Sequence, residues 1–136
     1  MHRTIRNMLW SIAALMCGLM LYILLRPDSY LGKLFSAVNQ ISALQNAAKI
    51  FEVNVLRYYL PDMLWALALG CSLQAVIAPK GTAVLICGGT SLLWGAIWEL
   101  LQWSGLLGGT GDWVDVLMYF SGALASVIIN MKEIKK

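Results

Sequence analysis

Three acidic residues occur within one apolar stretch, WELLQWSGLLGGTGDWVDVLMYFSG, which covers residues 98–122. They are Glu99, Asp112 and Asp115, and the amide of Gln102 follows the first of them. An unpaired carboxylate in an apolar medium costs several kcal/mol, so each acid must be neutralised, paired or in contact with water. Carboxylates held in such a place can bind a cation or a sugar, act as a general base, or hold a divalent metal.

Two residues from another part of the chain are expected to join these acids. Arg57 and Asp62 directly precede a second apolar run, and Arg57 is the cation best placed to compensate Glu99. Residues three apart share a helix face, which groups Glu99 with Gln102 and Asp112 with Asp115. The predicted ligand-binding residues are Arg57, Asp62, Glu99, Gln102, Asp112 and Asp115.

Most of these residues also have a purely structural explanation. Asp112 and Asp115 stand where the N-cap and N3 residues of a helix would stand. Asp62 is an acid in a first helical turn, and Arg57 can mark the level of the lipid head groups. Glu99 is different, because it lies about one turn inside its predicted membrane helix. We therefore expect Glu99 to organise a site or to form an ion pair.

The composition indicates that the solvent of this chain is lipid. Of its 136 residues, 60% are hydrophobic and 12% are charged, which is too apolar for a soluble domain of this size. The length predicts a single membrane domain spanning residues 1–136. The net charge of +3 is small and dispersed, so no nucleic-acid partner is expected. Cys17, Cys71 and Cys87 lie in separate apolar runs, which argues against a disulfide framework or a zinc site.

The apolar runs predict an all-α fold, a bundle of four transmembrane helices. The first run follows His2, Arg3 and Arg6, but no small-residue cleavage site comes after it, so we interpret it as a retained helix rather than a signal peptide. Small residues spaced four apart, at Ala14/Gly18, Ala66/Gly70 and Gly122/Ser126, would permit close helix packing. The predicted transmembrane helices cover residues 8–25, 61–78, 82–103 and 112–131.

The connection between the first two predicted spans is too long for a structureless loop. Apolar residues recur in it at steps of three and four, with polar residues between them. This pattern predicts an amphipathic segment over about residues 30–56, formed by one or two helices on the membrane surface. A re-entrant hairpin is the alternative, and it would bury more amide groups.

Basic residues predict the orientation in the membrane. With both termini in the cytoplasm, the inner side holds Arg3, Arg6, Lys80, Lys132, Lys135 and Lys136. The outer side then holds Arg26, Lys33, Lys49 and Arg57, all within the one long connection. Lysine and arginine in short loops favour the cytoplasmic side. The predicted location is therefore a cell membrane in which both termini are cytoplasmic and the acidic residues lie on the outer side.

The acidic motif resembles that of the VanZ-like membrane proteins. Its elements here are Glu99 and Gln102, a glycine-rich turn, Gly109-Thr110-Gly111-Asp112-Trp113-Val114-Asp115, and then Gly122. The segment RYYLPDMLWALALG, residues 57–70, resembles that of a related branch of small membrane proteins. Gly111 and the long amphipathic connection depart from the family pattern. The resemblance implies a multi-pass fold in the cell envelope, and a theme of envelope glycolipids and resistance to the glycopeptide teicoplanin, but no reaction.

Three functions are compatible with these residues. The favoured one is a protein without catalytic activity that binds a lipid head group, a lipid-linked sugar or an amphiphilic antibiotic at the outer acidic site. The second is an enzyme acting on a lipid-linked substrate, with Glu99 as general base and Asp112 and Asp115 as ligands of a metal. The third is a structural subunit of a membrane complex. Beyond membrane lipids and the ligands just named no partner is predicted, and no cofactor is expected.

Overall fold

In the computed structural model, which describes residues 2–27, 29–36, 39–48, 55–109 and 111–134, the protein is helical throughout its regular structure. The all-α prediction is therefore confirmed. The helices are α1 (His2–Leu25), α2 (Tyr30–Ser36), α3 (Asn39–Ala48), a π-helical turn (Val55–Tyr59), α4 (Leu60–Ile77), α5 (Ala83–Trp103), α6 (Trp113–Ile129) and α7 (Met131–Ile134).

Three segments are long and apolar enough to cross a membrane: His2–Leu25, Arg57–Ile77 and Ala83–Trp103. The fourth predicted span corresponds to α6, which is also apolar but has only 17 residues. At a rise of about 1.5 Å per residue, such a helix reaches roughly 25 Å, the lower limit for a span. Its ends are fixed locally, by an N-cap at Asp112 and a C-cap at Asn130.

The long helices pack through stripes of small residues. α4 lies between α1 and α6, and α5 packs mainly on α6. A Cβ atom added to Gly122 of α6 would overlap the backbone of α4 at Met63 and approach Leu67, and one added to Gly70 would overlap Ser126. Two of the three predicted small-residue pairs, Ala66/Gly70 and Gly122/Ser126, therefore lie where α4 and α6 approach closely, whereas Gly18 of the third pair is only in ordinary contact with Leu64.

The interior combines small apolar residues with several buried polar side chains. Asn7, Gln74, Ser126 and Asn130 are completely buried, whereas many large apolar side chains of the long helices face outward. The buried amides of Asn7 and Asn130 hydrogen-bond each other at 3.1 and 3.2 Å. An arrangement with polar contacts inside and leucine, isoleucine and tryptophan outside is compatible with a bundle surrounded by lipid.

The two ends of the bundle carry different groups. At one end Arg3 donates to the carbonyl oxygen of Pro79, and Arg6 donates to Asn130 at 2.8 Å. At the other end Arg26, just after α1, donates to the carbonyl oxygen of Arg57 at 3.0 Å. The start of α1 therefore lies beside the ends of α4 and α6. α1 thus runs antiparallel to both of these helices.

The connection after α1 contains two short helices, α2 and α3, in place of one continuous helix. Gln45 of α3 is buried and donates to the carbonyl oxygens of Ile23 and Gly32, at 2.9 and 3.3 Å. Leu34 and Leu44 of the predicted apolar stripe are exposed. Residues 37–38 and 49–54 of the predicted amphipathic segment lie outside the described part of the chain, as do Thr110, Lys135 and Lys136.

Candidate functional site

The site begins with Glu99, which lies on α5 four residues before the end of that helix and is only 2% exposed. Its Oε2 atom accepts a hydrogen bond of 3.0 Å from the backbone N–H of Asp112. The helix brings the carboxylate into the bundle, and the start of α6 supplies the donor. A buried carboxylate is stabilised by such a charge-assisted bond, and this is the compensation that the structure shows for Glu99.

Asp112 is the N-cap of α6, as its position in the sequence predicts. Its Oδ1 atom accepts from the backbone N–H of Val114 at 3.0 Å, while its own backbone is extended. The other carboxylate oxygen, Oδ2, accepts from the hydroxyl of Tyr59 at 3.4 Å. Since both oxygens of Asp112 have partners within the protein, this residue ties the π-helical turn before α4 to the start of α6.

Asp62 and Asp115 face each other between α4 and α6. The Oδ1 atom of Asp62 accepts from the hydroxyl of Tyr119 at 3.2 Å. The charges of Asp62, Glu99 and Asp112 all act on Asp115, whose Oδ1 atom is buried without a hydrogen-bond partner among the described residues. Four acidic side chains from three helices are therefore concentrated at this end of the bundle.

The glycine-rich turn between α5 and α6 is shaped by side chains that lie on its glycines. Gln102 donates to the carbonyl oxygen of Gly108 at 3.4 Å, and its amide lies against Gly109, which has a φ of +128°. The indole of Trp103 covers Gly111 so closely that a Cβ atom there would overlap the ring. Gly111, which departs from the motif of the VanZ-like proteins, thus leaves space for the indole of Trp103. Gln102 stabilises the turn through its hydrogen bond to Gly108.

Arg57 and Arg26 form a basic neighbour to the acidic group. The guanidinium groups of both arginines lie over the ring of Tyr58, at 5.2 Å for Arg57 and 5.3 Å for Arg26. The positive charge of Arg26 acts on Asp62 and Asp115. Arg57 therefore lies at this end of the bundle with Tyr58 as one of its contacts, and Arg26, a residue that the sequence did not single out for this site, lies beside it.

A groove of about 320 Å³ adjoins these residues on the side where α4 and α5 face one another. Tyr119 lies in it against Gly95, where a Cβ atom would overlap its ring. Trp94 of α5 is 64% exposed, so the wall that it forms lies on the surface of the bundle. We call this feature the aromatic groove, and the residues that define it are Asp62, Trp65, Ser91, Trp94, Trp98 and Tyr119.

The predicted site residues are thus partly united. Asp62, Glu99, Asp112 and Asp115 lie together, and Gln102 supports the turn. Arg57 contacts Tyr58, and its pairing with Glu99 stays a prediction. Sequence reasoning missed Tyr119 and the walls of the groove. Tyr119 could have been found from helical spacing, because it follows Asp115 by four residues and therefore lies on the same face of α6.

The acidic residues differ in their access to the groove. Within the described residues no three His, Cys, Asp or Glu side chains are grouped so that they could hold a metal ion. Glu99 is almost completely buried and is bonded to the start of α6, so it does not face the groove as an accessible general base would. Asp62 is the acidic residue that lines the groove.

Comparison with protein-family models, with curated proteins and with solved structures found nothing that matches this chain. The resemblance to the VanZ-like proteins therefore stays a prediction from the motif. The class that the fold itself defines is a small all-helical protein with at least three helices suited to a membrane.

Proposed function

We propose that this protein is a four-span protein of the cell envelope that binds an amphiphilic molecule at the outer side of the membrane. In this proposal α6 is the fourth span, both termini are cytoplasmic, and the bound molecule is a lipid, a lipid-linked sugar or an amphiphilic antibiotic. The VanZ-like motif supports an envelope role and connects it with glycopeptide resistance.

The aromatic groove is the observation that carries this proposal. Its volume of about 320 Å³ is near the lower limit of typical ligand pockets, and tryptophan surfaces in it could pack against an alkyl chain or a sugar ring. The carboxylate of Asp62 and the hydroxyl of Tyr119, which hydrogen-bond each other, add polar groups to the lining of this groove. A groove that combines an apolar wall on the bundle surface with a carboxylate suits a ligand that has an apolar tail and a polar head.

Binding of chain-matched amphiphiles to the purified protein in lipid nanodiscs tests the proposal. The probes are dodecyltrimethylammonium, dodecyl maltoside and dodecylphosphocholine, each below its critical micelle concentration, and the readout is tryptophan fluorescence. We expect saturable binding of at least one probe, weakened by Trp94→Leu. Trp10→Leu is the matched control, because Trp10 is also on the surface of a long helix, at 47% exposure, but outside the groove. Equal effects of the two substitutions, or no saturable binding, would contradict the proposal.

A further inference from the structure

We infer that the head group which the aromatic groove selects is cationic, an ammonium or quaternary ammonium group held by Asp62 and by the faces of the surrounding tryptophans. This inference rests on the proposed function and specifies the chemical class of its ligand.

The charge of the groove favours a cation. Asp62 lines the groove and none of the described residues that line it is basic. Asp62 also lies within the electrostatic range of Glu99 and Asp115, with Arg26 opposing them. A positively charged ligand would therefore enter a site where carboxylates are concentrated, and would relieve the repulsion between them.

The aromatic residues favour the same chemistry. Trp65, Trp94 and Trp98 come from two helices and line one groove with the ring of Tyr119. The face of a tryptophan ring carries negative electrostatic potential, so a cation within about 6 Å of its centre is attracted. Aromatic rings that line one groove together with a carboxylate are the groups that bind quaternary ammonium ions in aromatic cages, and the attraction increases where water is excluded.

The hydrogen-bonding capacity of the groove argues against a sugar head group. The hydroxyl of Tyr119 already donates to Asp62 at 3.2 Å, and that of Ser91 donates to the carbonyl oxygen of Gly88 at 2.8 Å. A sugar needs several donors and acceptors in fixed directions, or its hydroxyl groups lose hydrogen bonds when they leave water. A quaternary ammonium group donates no hydrogen bond and requires only charge and contact surface.

The ammonium group could belong to a membrane lipid or to a free cationic amphiphile, and the surroundings of the protein separate these sources. Dodecyltrimethylammonium is titrated into protein held in nanodiscs with a fixed fraction of phosphatidylglycerol, in which the remaining lipid is either an uncharged glycolipid or phosphatidylethanolamine, so that the surface charge is the same in both. Tryptophan fluorescence reports binding. Weaker apparent affinity with phosphatidylethanolamine identifies the lipid's ammonium group as a competitor, whereas unchanged affinity assigns the site to the free amphiphile; either result agrees with a cationic ligand.

The deciding variants are Asp62→Asn and Trp94→Leu. We expect Asp62→Asn to weaken dodecyltrimethylammonium binding by about tenfold or more and to leave dodecyl maltoside binding within about twofold, because the substitution removes the carboxylate charge that only a cation uses. Dodecylphosphocholine should be weakened by an intermediate factor, since its quaternary ammonium group lies next to a phosphate. Trp94→Leu should weaken the cation more than the maltoside. If Asp62→Asn does not fold, as judged by circular dichroism, Trp94→Leu decides alone.

The results that overturn the inference differ from those that overturn the proposed function. Tighter binding of dodecyl maltoside than of the ammonium probe, or equal loss of all three probes in Trp94→Leu, would reject a cationic ligand and leave an amphiphile-binding groove. Absence of saturable binding for every probe would reject the proposed function itself.

Discussion

The carboxylate of Glu99 in α5 accepts the backbone N–H of Asp112, the N-cap of α6, at 3.0 Å. In an ordinary capping box that N–H is satisfied by an acid at position N3 of the same helix. Here the N3 residue is Asp115, which is instead surrounded by the charges of Asp62, Glu99 and Asp112. Glu99 of the neighbouring helix α5 thus completes the cap of α6. Asp115, the residue that would normally complete it, belongs to the acidic group beside the groove.

This relationship predicts different consequences for two substitutions of Glu99. Glu99→Gln retains an oxygen that can accept the N–H of Asp112, and it removes repulsion with Asp62 and Asp115, so the free energy of unfolding should change by no more than about 1 kcal/mol. Glu99→Ala removes the acceptor and leaves a cavity, and should cost about 2 kcal/mol or more. Thermal unfolding in detergent, followed by circular dichroism, measures both, and equal stability of the two variants would contradict the cap.

Close packing of α4 and α6 gives a second prediction, on two glycines within helices. Gly122→Ala would place a methyl group against backbone atoms of Met63 and Leu67, which cannot move without separating the helices. We expect it to lower the free energy of unfolding by about 1–3 kcal/mol.

Gly89→Ala is the control for this substitution, because a Cβ atom there meets nothing within 4 Å. It should be neutral or should stabilise by up to about 1 kcal/mol, since alanine favours a helix over glycine. Both variants are compared by unfolding in mixed micelles. If Gly122→Ala behaved like Gly89→Ala, the contact between α4 and α6 would not be as close as described.

The hydrogen bond between Tyr119 and Asp62 gives a third prediction. Tyr119→Phe keeps the ring against Gly95 but removes the hydroxyl that donates to Asp62 at 3.2 Å. A hydrogen bond to a charged group contributes about 1.5–3 kcal/mol, so Tyr119→Phe should lower the free energy of unfolding by that amount.

A double-mutant cycle with Asp62→Asn isolates that bond, and a coupling free energy of about 1 kcal/mol or more is expected. Tyr30→Phe, at an exposed tyrosine of α2, is the control and should have no effect. A coupling near zero would mean that the hydroxyl and the carboxylate act independently.

The sequence predicts the helices and part of the site for a physical reason. Helical periodicity and membrane length depend on local composition, so an all-helical chain, the cap at Asp112 and the small-residue contacts can be derived without coordinates. The partner of Glu99 could not be derived in this way, because it is a backbone N–H, which every residue except proline has. The sequence favoured Arg57 as a partner on the basis of charge, and that pairing stays a prediction.

The aromatic groove was not predicted because it depends on how far apart two helices lie. The four-residue spacing of Trp94 and Trp98 places them on one helix face but does not distinguish a groove from a lipid-facing surface. A location at the membrane interface explains such tryptophans equally well. Only the packing of α4 and α5 on α6 shows that they face Asp62 across a cavity. The distance between two helices depends on the side chains of all the helices that pack together. The periodicity of one helix therefore does not predict it.

The proposed orientation yields the fourth prediction, through cysteines placed at opposite ends of the bundle. In a variant lacking Cys17, Cys71 and Cys87, Gly108→Cys lies in the exposed turn between α5 and α6, where a Cβ atom meets nothing. Lys80→Cys lies in the exposed turn at the other end, after α4.

If both termini are cytoplasmic, a membrane-impermeant maleimide should label Gly108→Cys in intact cells and should label Lys80→Cys only after the membrane is opened. The reverse pattern would place the acidic residues on the inner side. Labelling of both sites in intact cells would mean that α5 does not separate them across the membrane. Because the groove lies beside the Gly108 end, the first pattern alone gives its ligand access from outside the cell.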